Sequence, residues 1–260
     1  MAFNYKRVLL VGATSGIGAA MADKLVVECA KVIAVGRRQE RLDAFVQKHG
    51  PEKAREIRYD INDRAGMDAF VEGVVAQYPD LDCVFLNSGF QHQVRLSRPE
   101  EVDLDAFRQE MSTNFNRLVD LSIKFLPHPQ RKRDPTALVF TGSLLAAIPS
   151  VTFPAYSVFK AALNAYIMCL RRQNKGSATK IIKIWPPAVQ TSRLHGSDIG
   201  GKMGMPLQEF IDKAWEQLAA GSELVKVGPL AAQASFKDMV KTRRTTFENI
   251  SSVMLTHFEL

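Results

Sequence analysis

The sequence predicts an α/β domain built on a parallel, doubly wound sheet with helices on both faces. Three observations predict it. Short apolar strands alternate with longer helical patterns, a glycine-rich turn follows the first strand, and polar residues stand just after later strands. Parallel strands joined through helices cross over right-handed. Such sheets bind ligands beyond the carboxyl ends of their strands, near the point where strand order reverses.

The elements follow in order. Arg7 to Val11 reads as a buried strand, and Ile17 to Val27 as the helix after the glycine turn. Lys31 to Val35 is the next strand, followed by a charged helix near Gln39 to Lys48, a short strand at Glu56 to Tyr59 and a helix from Arg64 to Tyr78. Cys83 to Leu86 is extended, Val102 to Leu126 is a long helical region, and Ala137 to Phe140 is a strand. A helix from Tyr156 to Arg172 and a strand from Lys180 to Trp185 complete the alternation. Beyond Trp185 the pattern changes: Thr191 to Gly204 is rich in Gly, Ser and Met, and Pro206 to Ala220 reads as a helix. An excursion over about 191–225 is where a small helical substrate lid would sit.

A chain of 260 residues without a clear linker or repeat fits one domain spanning 1–260. With 46% hydrophobic and 23% charged residues, it has the composition of a packed protein and not of a disordered one. Cys29, Cys83 and Cys169 are far apart, odd in number and set in apolar stretches, so they read as reduced, buried thiols with no metal spacing. Met1 to Arg7 runs straight into a strand, so no signal peptide is expected. No apolar run reaches the roughly 18 residues of a membrane span, and a cytoplasmic location is the expectation. The net charge of +7 raises nucleic acid as a partner. Yet the basic residues are scattered, and the cluster Arg131-Lys132-Arg133 has no interleaved aromatics, so a solvated basic surface and a cofactor phosphate are the expected use of the charge.

The turn after the first strand is Gly12-Ala13-Thr14-Ser15-Gly16-Ile17-Gly18. Glycines let the backbone turn sharply and let a pyrophosphate approach the N–H groups of a helix N-terminus. A glycine cluster alone is weak evidence, but its place between strand and helix is the required context. The second strand ends Val35-Gly36-Arg37-Arg38. An acid at Gly36 would bind the ribose 2′-hydroxyl of NAD. Its absence, with Arg37 and Arg38 following, favours the 2′-phosphate of NADP(H).

Tyr156 and Lys160 are four residues apart on one helix, so their side chains share a face. An ammonium beside a tyrosine favours the phenolate, which can exchange a proton with a carbonyl or alcohol oxygen. Ser143 follows the Ala137–Phe140 strand, thirteen residues before Tyr156, and Asn87-Ser88-Gly89 follows Cys83–Leu86. Both are crevice positions.

Taken together, the chain resembles the short-chain dehydrogenase/reductase family. The matching pieces are Gly12-x-x-x-Gly16-x-Gly18, Asp60, Asn87-Ser88-Gly89, Asn114, Ser143 and Tyr156-x-x-x-Lys160, in the family's order from residue 7 to about 191. The resemblance implies a Rossmann-type fold, with Tyr156 as general acid/base and Lys160 lowering its pKa and holding the nicotinamide ribose. It implies Ser143 as the donor to the substrate oxygen and Asn114 as the residue positioning a water in a proton relay. Asn116 is a rival, but Asn114 stands twelve residues before Leu126-Pro127, as in the family. Asp60 resembles the acid that contacts the adenine, beside Ile61, while Pro186, Val189 and Thr191 resemble the segment at the nicotinamide end. Thr14, Ser15 and Ile17 complete the cradle. The family also implies a homodimer or homotetramer.

Three positions depart from the family pattern: Val11 for Thr, Ser88 for Ala, and Pro187 for Gly in Pro186-Pro187-Ala188-Val189-Gln190-Thr191. Pro187 removes a backbone N–H and fixes φ. The family's seventh strand is not recognisable, because Gly228 to Met254 reads as helical.

The expected activity is hydride transfer between NADP(H) and a hydrophobic carbonyl or alcohol. Phe90, Leu144, Leu145, Ile148 and Phe153 are candidate pocket residues, with His195, Met203 and Met205 in the lid. Trp185 reads as a core anchor. An NADP-binding sensor, and an enzyme recruited to non-redox cyclisation or isomerisation, stay open as alternatives.

Overall fold

The computed structural model describes residues 3–28, 30–130, 134–191 and 204–257. Its single sheet has seven parallel strands: β1 (Arg7–Val11), β2 (Lys31–Gly36), β3 (Ala54–Arg58), β4 (Cys83–Leu86), β5 (Thr136–Thr141), β6 (Thr179–Trp185) and β7 (Leu224–Lys226). Their order is β3-β2-β1-β4-β5-β6-β7, so the winding reverses between β1 and β4. Val11 pairs with Val35 on one side and Leu86 on the other, which brings the turns after β1, β2 and β4 to the same edge of the sheet.

Alternation along the strands sorts the core into two layers. Val8, Leu10, Val32, Ala34, Phe85, Val139 and Ile184 face α1 (Gly16–Val27), α2 (Gln39–His49) and a later helix, α8 (Leu207–Ala219). Leu9, Val11, Ile33, Val84, Leu86, Leu138 and Phe140 face α3 (Met67–Gln77), α5 (Arg117–Phe125) and α7 (Pro154–Gln173). Between α3 and α5 lies α4 (Leu104–Met111), and the short α6 (Pro127–Gln130) follows α5.

The long helical region read from the sequence is thus α4 and α5 joined by a π turn, Ser112–Asn116. The turn holds Asn114, and such turns are frequent at functional sites. The seventh strand exists: β7 lies just before the segment that reads as helical, and three residues are too few to show a period. After it come α9 (Pro229–Ala232) and the 22-residue α10 (Ala234–Leu255), so the helical reading of that segment holds.

Within the expected lid excursion, α8 buries Phe210, Ile211, Ala214 and Leu218 in the core, whereas 192–203, with His195 and Met203, lies outside the described residues. Met205 bridges back to Val189. Cys83 is buried, but Cys169 is exposed, which corrects its reading as a buried thiol: it falls on the outer face of α7. Cys29 and Arg131-Lys132-Arg133 also lie outside the described residues. Among the described residues no helix is long and apolar enough to cross a membrane.

Candidate active site

The glycine turn closes on itself. Gly12 has φ of 91° and Gly16 φ of 56°, backbone that side chains other than glycine rarely adopt. A Cβ at Gly12 would come within 2.7 Å of Ser88 Oγ, and one at Gly18 would run into the Gly12 carbonyl and reach 2.5 Å from Asn87 Nδ2. Asn87 explains the join: its Nδ2 donates to Gly12 O at 3.2 Å, and its Oδ1 accepts from Thr141 Oγ1 at 2.8 Å. One side chain therefore ties the ends of β1, β4 and β5 together. Ser15 precedes α1 without a side-chain cap, so the helix's first N–H groups are left for an anion.

Arg38 instead holds the turn from outside, donating to Thr14 Oγ1 and Ser15 Oγ, both at 2.7 Å. Arg37, two-thirds exposed, reaches Asp60 at 3.4 Å. Asp60 also accepts from Asn62 N at 3.0 Å, and Ile61 beside it is buried. Both guanidiniums thus stand at the end of β2, where a ribose 2′-substituent would lie in this fold. These residues fit a nicotinamide dinucleotide: an uncapped helix N-terminus behind a glycine turn for the pyrophosphate, and two arginines beside it.

At the adjoining end, Ser143 is buried two residues past β5, and its Oγ accepts from Leu145 N at 3.1 Å, which leaves its proton free to donate. The turn it opens, Leu144–Ala146, packs on α7. Tyr156 is half-buried on the first turn of α7, and Lys160 is fully buried one turn on. Lys160 Nζ donates to Thr141 O at 2.9 Å and stands 5.5 Å from the centre of the Tyr156 ring. Asn114, from the π turn, clamps Phe90 on both sides: its Oδ1 accepts from Phe90 N at 3.0 Å and its Nδ2 donates to Phe90 O at 2.6 Å. A Cβ at Gly89 would lie 2.6 Å from Asn114 Oδ1 and 3.6 Å from Lys160 Nζ, so all three groups meet at one point.

The sequence reading missed one member of this group. Glu110, one turn before Asn114, is completely buried and accepts from His92 N at 3.1 Å through Oε2, while its Oε1 has no hydrogen-bond partner. Burial pushes its pKa up to about 7, against the opposing pull of the His92 N–H and of Lys160. Burial likewise pushes Lys160 down to about 8, and Glu110 offsets part of that fall. The i, i+4 spacing to Asn114 on a helix was the available signal.

After β6, Thr191 abuts the glycine turn, 3.3 Å from where a Gly16 Cβ would sit. Pro186 O accepts from Leu144 N at 3.2 Å, and Val189 is buried. Pro187 packs on Gly228, where a Cβ would lie 2.8 Å from Pro187 Cβ and where the φ of 108° also favours glycine. The Pro-Pro departure is therefore matched by a glycine in the segment before α9.

Of the candidate pocket residues, Leu144 belongs to a small core with Trp185, Ala231 and Phe236, which corrects its placing in a pocket wall. Phe90, Leu145 and Phe153 are half-buried, and Ile148 is exposed.

The pattern of short chain dehydrogenases matches residues 6–198. The chain belongs to the short-chain dehydrogenase family. It is 32% identical over 185 residues to an uncharacterised oxidoreductase, DltE, of Bacillus subtilis, covering 71% of each chain. It is 28% identical over 182 residues to the NADP-dependent 3-hydroxy acid dehydrogenase YdfG of Salmonella typhi, covering 70% of this chain and 72% of that one. In fold it matches a short-chain dehydrogenase of Sphingobium yanoikuyae in complex with NADPH, with a TM-score of 0.81 over 94% of this chain and 95% of that one at 20% identity. Membership makes it an oxidoreductase of a family that binds nicotinamide cofactors.

Proposed function

We propose that the chain is an NADP(H)-dependent carbonyl reductase or alcohol dehydrogenase acting on a hydrophobic carbonyl or alcohol. The observation that carries the reading is the Lys160 ammonium held between Thr141 O and the Tyr156 ring, above the point shared with Asn114. Arg37 and Arg38 support the phosphorylated cofactor, as does the NADP dependence of the Salmonella relative.

In the reductive direction, the substrate carbonyl accepts from Ser143 Oγ and Tyr156 OH. The chemistry a nicotinamide would supply when bound is the hydride that reduces the carbonyl carbon. Tyr156 gives its proton to the oxygen as charge builds there, and the nearby Lys160 ammonium stabilises the phenolate that remains. A water held by Asn114 and Lys160 then returns a proton to Tyr156. Gly12, Gly16, Gly18 and Thr191 would line the pyrophosphate of a bound cofactor, and Asp60 and Ile61 would flank its adenine. Half-buried Phe90, Leu145 and Phe153 give the crevice an apolar rim, which supports a hydrophobic substrate. Exposed Leu104, Met111, Ile123 and Val158 on α4, α5 and α7 support pairing of copies through these helices.

The test is NADPH oxidation across ketones and aldehydes. Wild type is expected to consume NADPH in preference to NADH, and Tyr156→Phe to lose about 100- to 10,000-fold in kcat while still binding NADPH. A Tyr156→Phe variant with full turnover would defeat the assigned chemistry.

A further inference from the structure

A second cluster of cations lies away from the cradle, on the α7 face of the sheet. Lys183 is in the middle of β6, on the face where Ile181 packs into the apolar core, yet it is only 4% exposed. Its Nζ donates to Asn164 Oδ1 and lies 4.3 Å above the Trp185 ring. Among the described residues no carboxylate pairs with it. It borders a cavity between α7, β6, β7 and α10 lined also by Arg171, Arg243 and Arg244. Among the described residues, that lining holds four cationic side chains and no acidic one. The rest of the wall is largely apolar, with Met168, Leu224, Met239 and Val240.

Like charges so placed repel unless something stands between them. Arg171 spends its charge on Ile181 O and Glu223, and Glu248 is taken by Arg172. Arg243 and Arg244 project from one face of α10 towards Lys183, one turn beyond Met239 and Val240. Burial lowers the Lys183 pKa to about 7, and Arg171, Arg243, Arg244 and Lys226 all push the same way. The cavity measures about 60 Å³, against about 10–15 Å³ for one water, which is room for a head group of a few heavy atoms.

We propose that this cavity is a binding site for an anionic amphiphile, whose phosphate or carboxylate head sits among Lys183, Arg243 and Arg244, with the already paired Arg171 at its border, and whose apolar body lies over Met168 and Met239. The cations supply charge-assisted donors in a partly dry setting, where they act most strongly. Trp185 and the methionines supply a surface that adapts to a chain. The site lies apart from the glycine turn, so its occupancy is independent of the oxidoreductase reading.

The test is calorimetric titration of the full chain with octyl phosphate, beside inorganic phosphate, octanoate and neutral octanol. Octyl phosphate is expected to bind at one site per chain. Inorganic phosphate is expected to bind at least about tenfold more weakly, and octanol likewise, since both head and tail contribute. Octanoate separates the sources: matching affinity marks a carboxylate lipid, and weaker binding marks a phosphorylated one. The double variant Arg243→Ala/Arg244→Ala changes only exposed α10 side chains and is expected to weaken octyl phosphate about 10- to 100-fold. Lys183→Met is expected to do the same. An anion favours the protonated lysine, so binding of octanoate, whose own charge is fixed near neutral pH, should take up a proton and weaken as pH rises through about 7; Arg171, Arg243, Arg244 and Lys226 are the charged groups that act on Lys183. Lys183→Met should abolish that dependence. Absence of octyl phosphate binding overturns the proposal. So does binding that both variants leave unchanged, or binding that Arg37→Ala/Arg38→Ala alone removes.

Discussion

Two buried lysines on one face of the sheet meet opposite surroundings. Lys160 has a carbonyl acceptor at 2.9 Å and a buried carboxyl, Glu110, that offsets part of its desolvation. Lys183 has an amide, an indole face and four neighbouring cations, Arg171, Arg243, Arg244 and Lys226. Both pKa values fall through burial, but only Lys160 has an opposing charge. The difference shows how the same residue serves two ends. Under the proposed roles, a lysine that must stay charged beside a tyrosinate is given a counter-charge by the chain, whereas Lys183 would take its counter-charge from a bound anion.

The sharpest way to break this comparison is to remove each lysine in turn. Lys160→Met is expected to lower kcat/KM for NADPH-dependent carbonyl reduction by about 100-fold or more, as steady-state rates would show. Lys183→Met is expected to leave the rate within a few-fold and to raise stability by about 1–4 kcal/mol, the range seen when buried charge gives way to an apolar side chain. The sign in pH follows from the lowered pKa. The folded protein bears the cost of the charged lysine fully below about pH 7, and the cost fades as pH rises towards the unfolded value of 10.5. Urea midpoints at pH 6 and pH 10 should therefore show a larger gain at pH 6. A Lys183→Met protein destabilised at both would mean the lysine is already paired.

The comparison extends to two arginine pairs. Arg38 is braced by Thr14 and Ser15 and Arg37 by Asp60, whereas Arg243 and Arg244 project into the Lys183 cavity. Arg37→Ala/Arg38→Ala is expected to raise KM for NADPH at least about 10- to 100-fold with little change for NADH, since even one lost phosphate contact is worth about 1.5–3 kcal/mol. Equal losses with both cofactors would assign the pair to bracing the turn.

The two regions were not equally legible in the sequence. The cradle and the Tyr156/Lys160 pair sit on local spacings, a strand–turn–helix junction and an i, i+4 pair, so neighbours in sequence are neighbours in space. The sheet followed for the same reason: each strand is a run of alternating faces with a turn at its end. β7 escaped because three residues carry no period. The Lys183 cavity escaped because its walls come from α7, β6, β7 and α10, and a lysine in Lys180-Ile181-Ile182-Lys183-Ile184-Trp185 reads simply as the polar position of a strand. Only the packing shows that this position faces inward. Cys169 failed in the other direction, since an apolar stretch does not say which face of α7 a residue takes.

The smallest expected effect concerns Glu110, the charge that distinguishes Lys160 from Lys183. With its carboxyl buried and one oxygen unpartnered, the folded pKa of about 7 exceeds the ordinary 4.5. The folded state thus binds more protons between those values, and Glu110 costs stability progressively as pH rises from about 4.5 to 7. Glu110→Gln keeps the acceptor for His92 N and removes the charge. Its stability gain over wild type should be larger at pH 8 than at pH 5. Removing the carboxylate also takes away the one influence that raises Lys160, so the Lys160 pKa should fall further below about 8. The basic limb of the kcat/KM profile should then move to lower pH, with the rate at pH 6 nearly unchanged. His92→Ala provides the contrast: its backbone N–H still reaches Glu110, so the basic limb should stay in place. A Glu110→Gln enzyme whose profile matches wild type would show that Lys160 holds its charge through Thr141 O and Tyr156 alone, and the contrast between the two lysines would then rest on hydrogen bonding and not on counter-charge.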